Sequence, residues 1–394
     1  APRMARQFSP ASLHRHPVSA CVMGMLLSVA ISHLAHGLIS DARAAIQEFG
    51  KPVVYFLLLL CVVNSQRRLT HFLKWLLLCI VVVAALALLQ FHGVIDVPAL
   101  KELQQHDGFS ATGEALQVRR LRSTGIFNDP NDLSMILLLG MAICGAGWSK
   151  ALGSRWPRAL WLPPMAVCGY ALMLTKSRGG FIAMLVGLTV LLTSRYGWRK
   201  TLPLAALLFP LLLVLFAGRM TRISADEDTG QARIQLWSDG LEMFRESPLF
   251  GIGFGTYQDH AGLVAHNSYV HCFTELGVLG GTMFFGALAI PMLRLRRLGE
   301  RKVEILDPRL QALRPFFLAM LSAFAASMIT LTRCYVEPTY LVIGLSAAFL
   351  DLAATRQPLP PLRFNYALVS RLATASMGTL VVAYAFVRVF ARWN

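Results

Sequence analysis

Arg233, His266 and Asn267 fall within one stretch of the chain, next to Ser247-Pro-Leu-Phe-Gly251-Ile-Gly253-Phe-Gly255 and Glu275-Leu-Gly. These are residue types that bind anions and move protons. A guanidinium offers a planar fork to phosphate or carboxylate and stays charged in a partly dry site. A histidine titrates near neutrality and can serve as a general base, with Asn267 able to orient it or a substrate hydroxyl. Arg178 is the other sharp case, in the turn Thr-Lys-Ser-Arg-Gly-Gly, where glycines permit close approach of backbone or ligand. Arg119, Arg120, Arg122, Lys176, Arg219, Arg222 and Arg245 extend the cationic set. Each has a plainer reading as a membrane-surface anchor or half of an ion pair. His266 has one too, as a satisfied interfacial residue.

The elements that position these residues are read from composition. The 394 residues are 55% hydrophobic and only 15% charged, with mean hydropathy +0.55. Soluble domains carry roughly 25% charged residues. About eleven apolar runs follow one another, near 18–38, 50–64, 72–92, 131–148, 158–175, 179–194, 201–217, 267–293, 314–332, 339–354 and 369–390. They lack the alternation of a barrel, so the fold class is an all-α polytopic integral membrane protein, a bundle of about 11–12 transmembrane helices. The whole of 1–394 reads as one such domain. Ala-Pro-Arg ahead of Met4 reads as an appended scar with no cleavable signal after it, so the first run is expected to stay as a span.

Net charge is +16. No basic patch interleaved with aromatics points to nucleic acid, and anchoring against anionic membrane lipid explains the excess. Arg67-Arg68, the run from Arg294 to Lys302, and Arg356, Arg363 and Arg371 fall on alternate loops with the N-terminus, which makes that side cytoplasmic. The opposite side then carries two long loops, 93–130 and 218–266. The first contains a short amphipathic candidate around Ala99 to Gln105. The second contains a better one: Ile234, Trp237, Leu241 and Phe244 share a helical face, with Arg233 close to it, and the helix is expected to lie flat on the membrane until Pro248 ends it.

Other candidates are weaker. Gly251 and Gly253 can present backbone N–H groups to phosphate, but they lack the strand–turn–helix setting of a dinucleotide site, and a plain turn competes. Asn128-Asp129-Pro130-Asn131 reads first as a cap, with Asn128 or Asn131 free to meet a sugar. Asp226-Glu227-Asp228 reads as solvated carboxylates, so no metal and no cofactor is expected. The seven cysteines form no C-x-x-C pair and read as small hydrophobes.

Arg122-Ser-Thr-Gly-Ile-Phe-Asn-Asp-Pro-Asn, Ser177-Arg178-Gly-Gly, Arg233-Ile-Gln-Leu-Trp237, the Ser247–Gly255 run, His266-Asn267 and Glu275-Leu-Gly together resemble the O-antigen ligase family of bacterial inner membranes, in the family's order over roughly residues 120–290. The resemblance implies a metal-independent, inverting glycosyltransferase of the GT-C type in a Gram-negative inner membrane, with its active site facing the periplasm. It implies transfer of O-antigen from undecaprenyl diphosphate to the lipid A–core oligosaccharide. The family's functional arginines carry over to Arg178 and Arg233, as diphosphate-binding and charge-stabilising groups, and its histidine to His266 as base. Arg119, Arg122, Asn128, Asn131, Trp237, Asn267, Gly251 and Gly253 are the accompanying substrate-binding candidates.

Two alternatives stand beside the ligase. An O-antigen polymerase or a protein O-oligosaccharyltransferase shares donor and chemistry and differs in acceptor. A transporter or flippase for an anionic lipid or solute belongs to another class. Transporters place charges near the bilayer midplane, whereas here they crowd one face.

Overall fold

The computed structural model describes residues 9–109, 115–153, 156–216, 228–300 and 302–391. In chain order the first helices are α1 (Pro10–Arg15), α2 (Pro17–Leu34), α3 (Ile39–Val62) and α4 (Gln66–Phe91). Two strands follow, β1 (Leu103–Phe109) and β2 (Ala115–Arg120). Then come α5 (Pro130–Trp148), α6 (Leu162–Thr175), α7 (Arg178–Tyr196), α8 (Trp198–Leu215), α9 (Asp228–Glu246) and α10 (Tyr257–Ala261). The last four are α11 (Ser268–Arg297), α12 (Pro308–Ser327), α13 (Glu337–Leu352) and α14 (Tyr366–Phe390).

Among the described residues, α2, α3, α4, α5, α7, α11, α12 and α14 are long and apolar enough to cross a membrane. The shorter apolar helices α6 and α13, of 14 and 16 residues, and the 18-residue α8 coincide with the remaining runs read from the sequence. The protein is therefore an all-α polytopic membrane protein. Local chemistry sets several boundaries. Proline opens α2 and α5, where its missing N–H costs nothing. Asp129 caps α5, Asn267 caps α11 and Asn365 caps α14 through side-chain oxygens.

The chain divides into two compact units. One comprises 1–65, 223–306 and 328–394. In it α2 runs antiparallel to α11: the space beside Gly24 is filled by Met283 and that beside Gly286 by Cys21. α14 packs on the same helix, with Thr282 Oγ1 3.2 Å from Ser376 Oγ. The other unit comprises 66–222 and 307–327. There α12 lies along α7, Ala319 and Ala323 meeting Gly187, and Phe316 reaches Gly145 of α5.

Residues 99–105 do not form the amphipathic helix read from the sequence. Pro98–Leu100 forms one 3-10 turn and the chain then enters an antiparallel hairpin, with Leu103 opposite Arg120 and Gln105 opposite Val118. The reason is the period. In β2 successive residues face opposite ways, which buries Arg120 and exposes Arg119. A helix would have put these neighbours about 100° apart, with no such division.

Candidate functional site

In the first unit, the amphipathic helix read from the sequence is α9, and it buries the face the spacing specifies. Ile234, Leu241 and Phe244 are buried with Phe273 of α11 and Leu380 and Val387 of α14, and Trp237 packs against them. Phe244 meets Phe273 edge-on at 5.8 Å, and Trp237 lies 5.6 Å from Phe386. The apolar stripe is thus covered by protein, not lipid, because α11 and α14 present a matching apolar surface. Two polar ties lock the docking. Thr274 Oγ1 donates to Gly240 O at 2.8 Å, and the Tyr257 hydroxyl donates to Leu236 O. Burial pushes the Tyr257 phenol above its ordinary range, so it stays a donor. Arg233 is half-buried on this helix, one residue before Ile234.

The segment 247–256 is zipped to a break in α11. Gly277 has φ +65°, outside the helical region, and Val278 N–H reaches Pro248 O at 2.8 Å. Ile252 N–H donates to Thr274 O at 3.0 Å and Gly253 N–H to Glu275 O at 3.1 Å. At Gly251 (φ +74°) a side chain would sit 2.2 Å from the backbone carbon of Glu275, so only glycine fits. The arrangement is that of the turn read as the competing explanation for Gly251 and Gly253. Gly251 N–H goes to Ser247 O and Gly253 N–H to Glu275 O, so both donors are used inside the protein.

Three side chains unremarked in the sequence hold this segment from the other side. His33 Nε2 lies 3.0 Å from Phe254 O, His36 Nε2 lies 2.8 Å from Gly251 O, and Ser32 Oγ accepts from Phe254 N–H at 3.2 Å. The signal available was a Ser-His-x-x-His pattern closing an apolar run. Glu275 is 1% exposed and accounts for its own place in a span. Its Oε1 accepts Tyr257 N–H at 3.1 Å and lies 3.2 Å from His271 Nε2.

His266 sits at the head of α11 with φ +50°, a left-handed conformation unusual for a residue with a side chain. It is half-buried. On one side Ala265 is fully buried, and on the other Asn267 Oδ1 accepts from Tyr269 N–H and Val270 N–H at 3.0 and 3.2 Å. That capping duty occupies the Asn267 oxygen. Ser268 then ties α11 to the chain after α12, donating N–H to Met328 O and accepting Arg333 N–H, each at 2.8 Å. His266 is therefore framed on both sides by fixed backbone.

In the second unit, Arg178 is the first residue of α7 and half-buried. Lys176 turns the chain with φ +48°, and Ser177 Oγ caps the helix by accepting Gly180 N–H at 3.0 Å. The turn is held by buried Arg120, which donates to Thr175 O at 2.9 Å, Gln105 Oε1 at 2.7 Å and Asn131 Oδ1 at 3.0 Å. Ser177 Oγ donates to the same Asn131 oxygen at 2.7 Å. The Asn131 oxygen is thus engaged by Arg120 and Ser177. Arg119 is paired with Glu102 at 3.0 Å and lies over the Phe91 ring. Arg122 Nε donates to Lys101 O at 2.7 Å. Asn128 is exposed behind the Asp129 cap. Arg219, Arg222 and the Asp226-Glu227 pair lie outside the described residues.

In one unit Arg233 lies on α9 and His266 at the head of α11; in the other Arg178 opens α7. Residues 163–285 match the family model of the O-antigen ligases, Wzy_C, and over this stretch the chain is similar to that family. The matched stretch includes Arg178, Arg233 and His266. That match supports glycosyl transfer of the ligase or polymerase type in O-antigen pathways, a glycosyltransferase-type activity. No curated protein matches the chain.

Proposed function

We propose that this protein is the O-antigen ligase proper, moving O-antigen glycan from undecaprenyl diphosphate to the lipid A–core oligosaccharide at the periplasmic face of the inner membrane. The observation that carries the reading is the presence of Arg178, Arg233 and His266 within the family-matched stretch 163–285. In this reading an acceptor hydroxyl attacks the anomeric carbon while the bond to the diphosphate oxygen breaks. His266 takes the hydroxyl proton. Arg233, and by the family resemblance Arg178, neutralise the charge growing on the leaving diphosphate. Attack from the face opposite the leaving group inverts the anomeric centre, a single GT-C-type step that needs no metal. The φ of +50° at His266 supports the assignment, because strain of about 1–3 kcal/mol at one residue persists where surrounding structure enforces it, often at functional sites.

The test uses purified protein, lipid-diphosphate-linked glycan and three acceptors: lipid A–core, carrier-linked glycan and protein. Transfer to lipid A–core supports the ligase, chain growth on the carrier indicates a polymerase, and transfer to protein an oligosaccharyltransferase. His266→Ala is expected to slow turnover by roughly 10²–10⁴, and Arg233→Ala or Arg178→Ala by roughly 10²–10³. Full activity of His266→Ala overturns the base assignment. Loss of activity on chelation overturns the metal-independent mechanism.

A further inference from the structure

The end of the first unit opposite His266 carries a cationic cavity that glycosyl transfer does not use. Because α2 and α11 are antiparallel, Arg15 at the end of α1 and His16 just before α2 lie beside Arg294 near the end of α11. The segment 359–364 lies alongside them. Arg294 Nη1 donates to Pro360 O at 2.7 Å. Phe364 N–H donates to His14 O at 2.9 Å, and His14 Nδ1 lies 2.8 Å from Phe364 O. The open cleft between them has a volume of about 620 Å³, and its cationic or titratable lining consists of His14, Arg15, Arg294 and Arg363. No carboxylate is among its described lining residues.

A narrower cavity of about 110 Å³ shares Arg15, Arg294 and Leu362 and reaches the first turn of α2. No side chain caps that helix at His16, and its N-terminal end adds positive potential. The acid there, Asp351, is engaged with His16 at 3.3 Å.

Arg15, Arg294 and Arg363 line one space with no carboxylate among its described lining residues, and a bound anion there would offset like charge. Their planar donors match phosphate oxygens better than a point charge does. Leu359, Pro361 and Leu362 add apolar wall beside the charges, suited to the glycerol and acyl parts of a lipid. We propose that this cavity is a binding site for a phosphate ester anion, the headgroup of an anionic membrane lipid or a soluble phosphate.

The test uses the full chain purified in detergent. Binding is followed by native mass spectrometry and by thermal unfolding as phosphatidylglycerol, phosphatidylcholine or inorganic phosphate is titrated. A lipid headgroup site gives saturable binding of one phosphatidylglycerol per chain, little phosphatidylcholine, and a rise in Tm with concentration. A soluble-phosphate site gives the same saturation with inorganic phosphate and none with lipid. The double variant Arg15→Gln/Arg363→Gln should weaken binding by about tenfold for each arginine removed. Both side chains are exposed, so the fold should survive. The charge-matched variant Arg67→Gln/Arg68→Gln, whose residues are exposed and do not line the cavity, should bind as the unaltered protein does. If the two double variants bind alike, or if no anion saturates, the arginines only anchor the surface and the site is refuted.

Discussion

The clamp between residues 247–256 and the break in α11 can be tested with two alanines. Gly251 and Gly255 have nearly the same backbone angle, φ +74° and +78°. An L side chain in that region costs about 1–2 kcal/mol, and the loss of glycine freedom in the unfolded chain is common to both positions. Their surroundings differ. A Cβ at Gly251 would lie 2.2 Å from Glu275 C and 2.5 Å from Leu276 N, whereas a Cβ at Gly255 meets nothing within 4 Å. The atoms in the way are backbone of a buried helix and cannot rotate aside. Relief must come from separating the two segments, which stretches the Ile252–Thr274 and Gly253–Glu275 hydrogen bonds. Overpacking of this kind adds about 1–3 kcal/mol. Gly255→Ala is therefore expected to cost about 1–2 kcal/mol and Gly251→Ala at least 1 kcal/mol more. Denaturant unfolding of each purified variant, followed by tryptophan fluorescence, measures both; Trp237 reports on the docked face of α9. Transfer activity should fall further in Gly251→Ala, since the same clamp leads into the backbone that frames His266. Equal unfolding midpoints for the two variants would refute the close backbone approach on which this reasoning rests.

Arg120→Ala removes the donor to three acceptors in a buried setting and should destabilise by about 3 kcal/mol. Arg119→Ala, one residue away but exposed and paired with Glu102, should cost under about 1 kcal/mol, and unfolding midpoints of the two variants check the contrast. His16 has its pKa raised above the usual 6.5, chiefly by its hydrogen bond to Asp351. Its contribution to stability is complete below pH 6.5 and fades as pH rises through the higher folded value. Both partners are about half exposed, so the change is a fraction of 1 kcal/mol; Asp351→Asn should flatten it, which unfolding between pH 6 and 8 would show.

Much of the architecture was legible in the chain because its signals are local. Hydropathy located eleven apolar helices among the described residues, eight of them long and apolar enough to cross a membrane, since a span must satisfy its own backbone wherever its neighbours lie. Side chains at spacings of 3 and 4 specified the buried face of α9 before its partners on α11 and α14 were known. Asp129 and Pro130 announced the start of α5 in the same way. The hairpin at 103–120 was less legible, because short mixed segments carry little periodic signal and their pairing is made across the turn.

The site residues divide along the same line. Arg178, Arg233 and His266 were readable as residue types out of place in an apolar chain, and their order along it carried the family resemblance. Other assignments depended on atoms distant in sequence. The N–H groups of Gly251 and Gly253 looked available until Ser247 and Glu275 were found to accept them, and Asn131 looked free until Arg120 and Ser177 were found to hold its oxygen. His33 and His36 gained a role only when the fold brought the 251–254 segment to them, more than 200 residues along the chain. Spacing specifies which face of a helix is apolar. Whether a donor is already satisfied depends on which acceptor the packing brings within 3 Å, and that is decided by contacts no local pattern encodes.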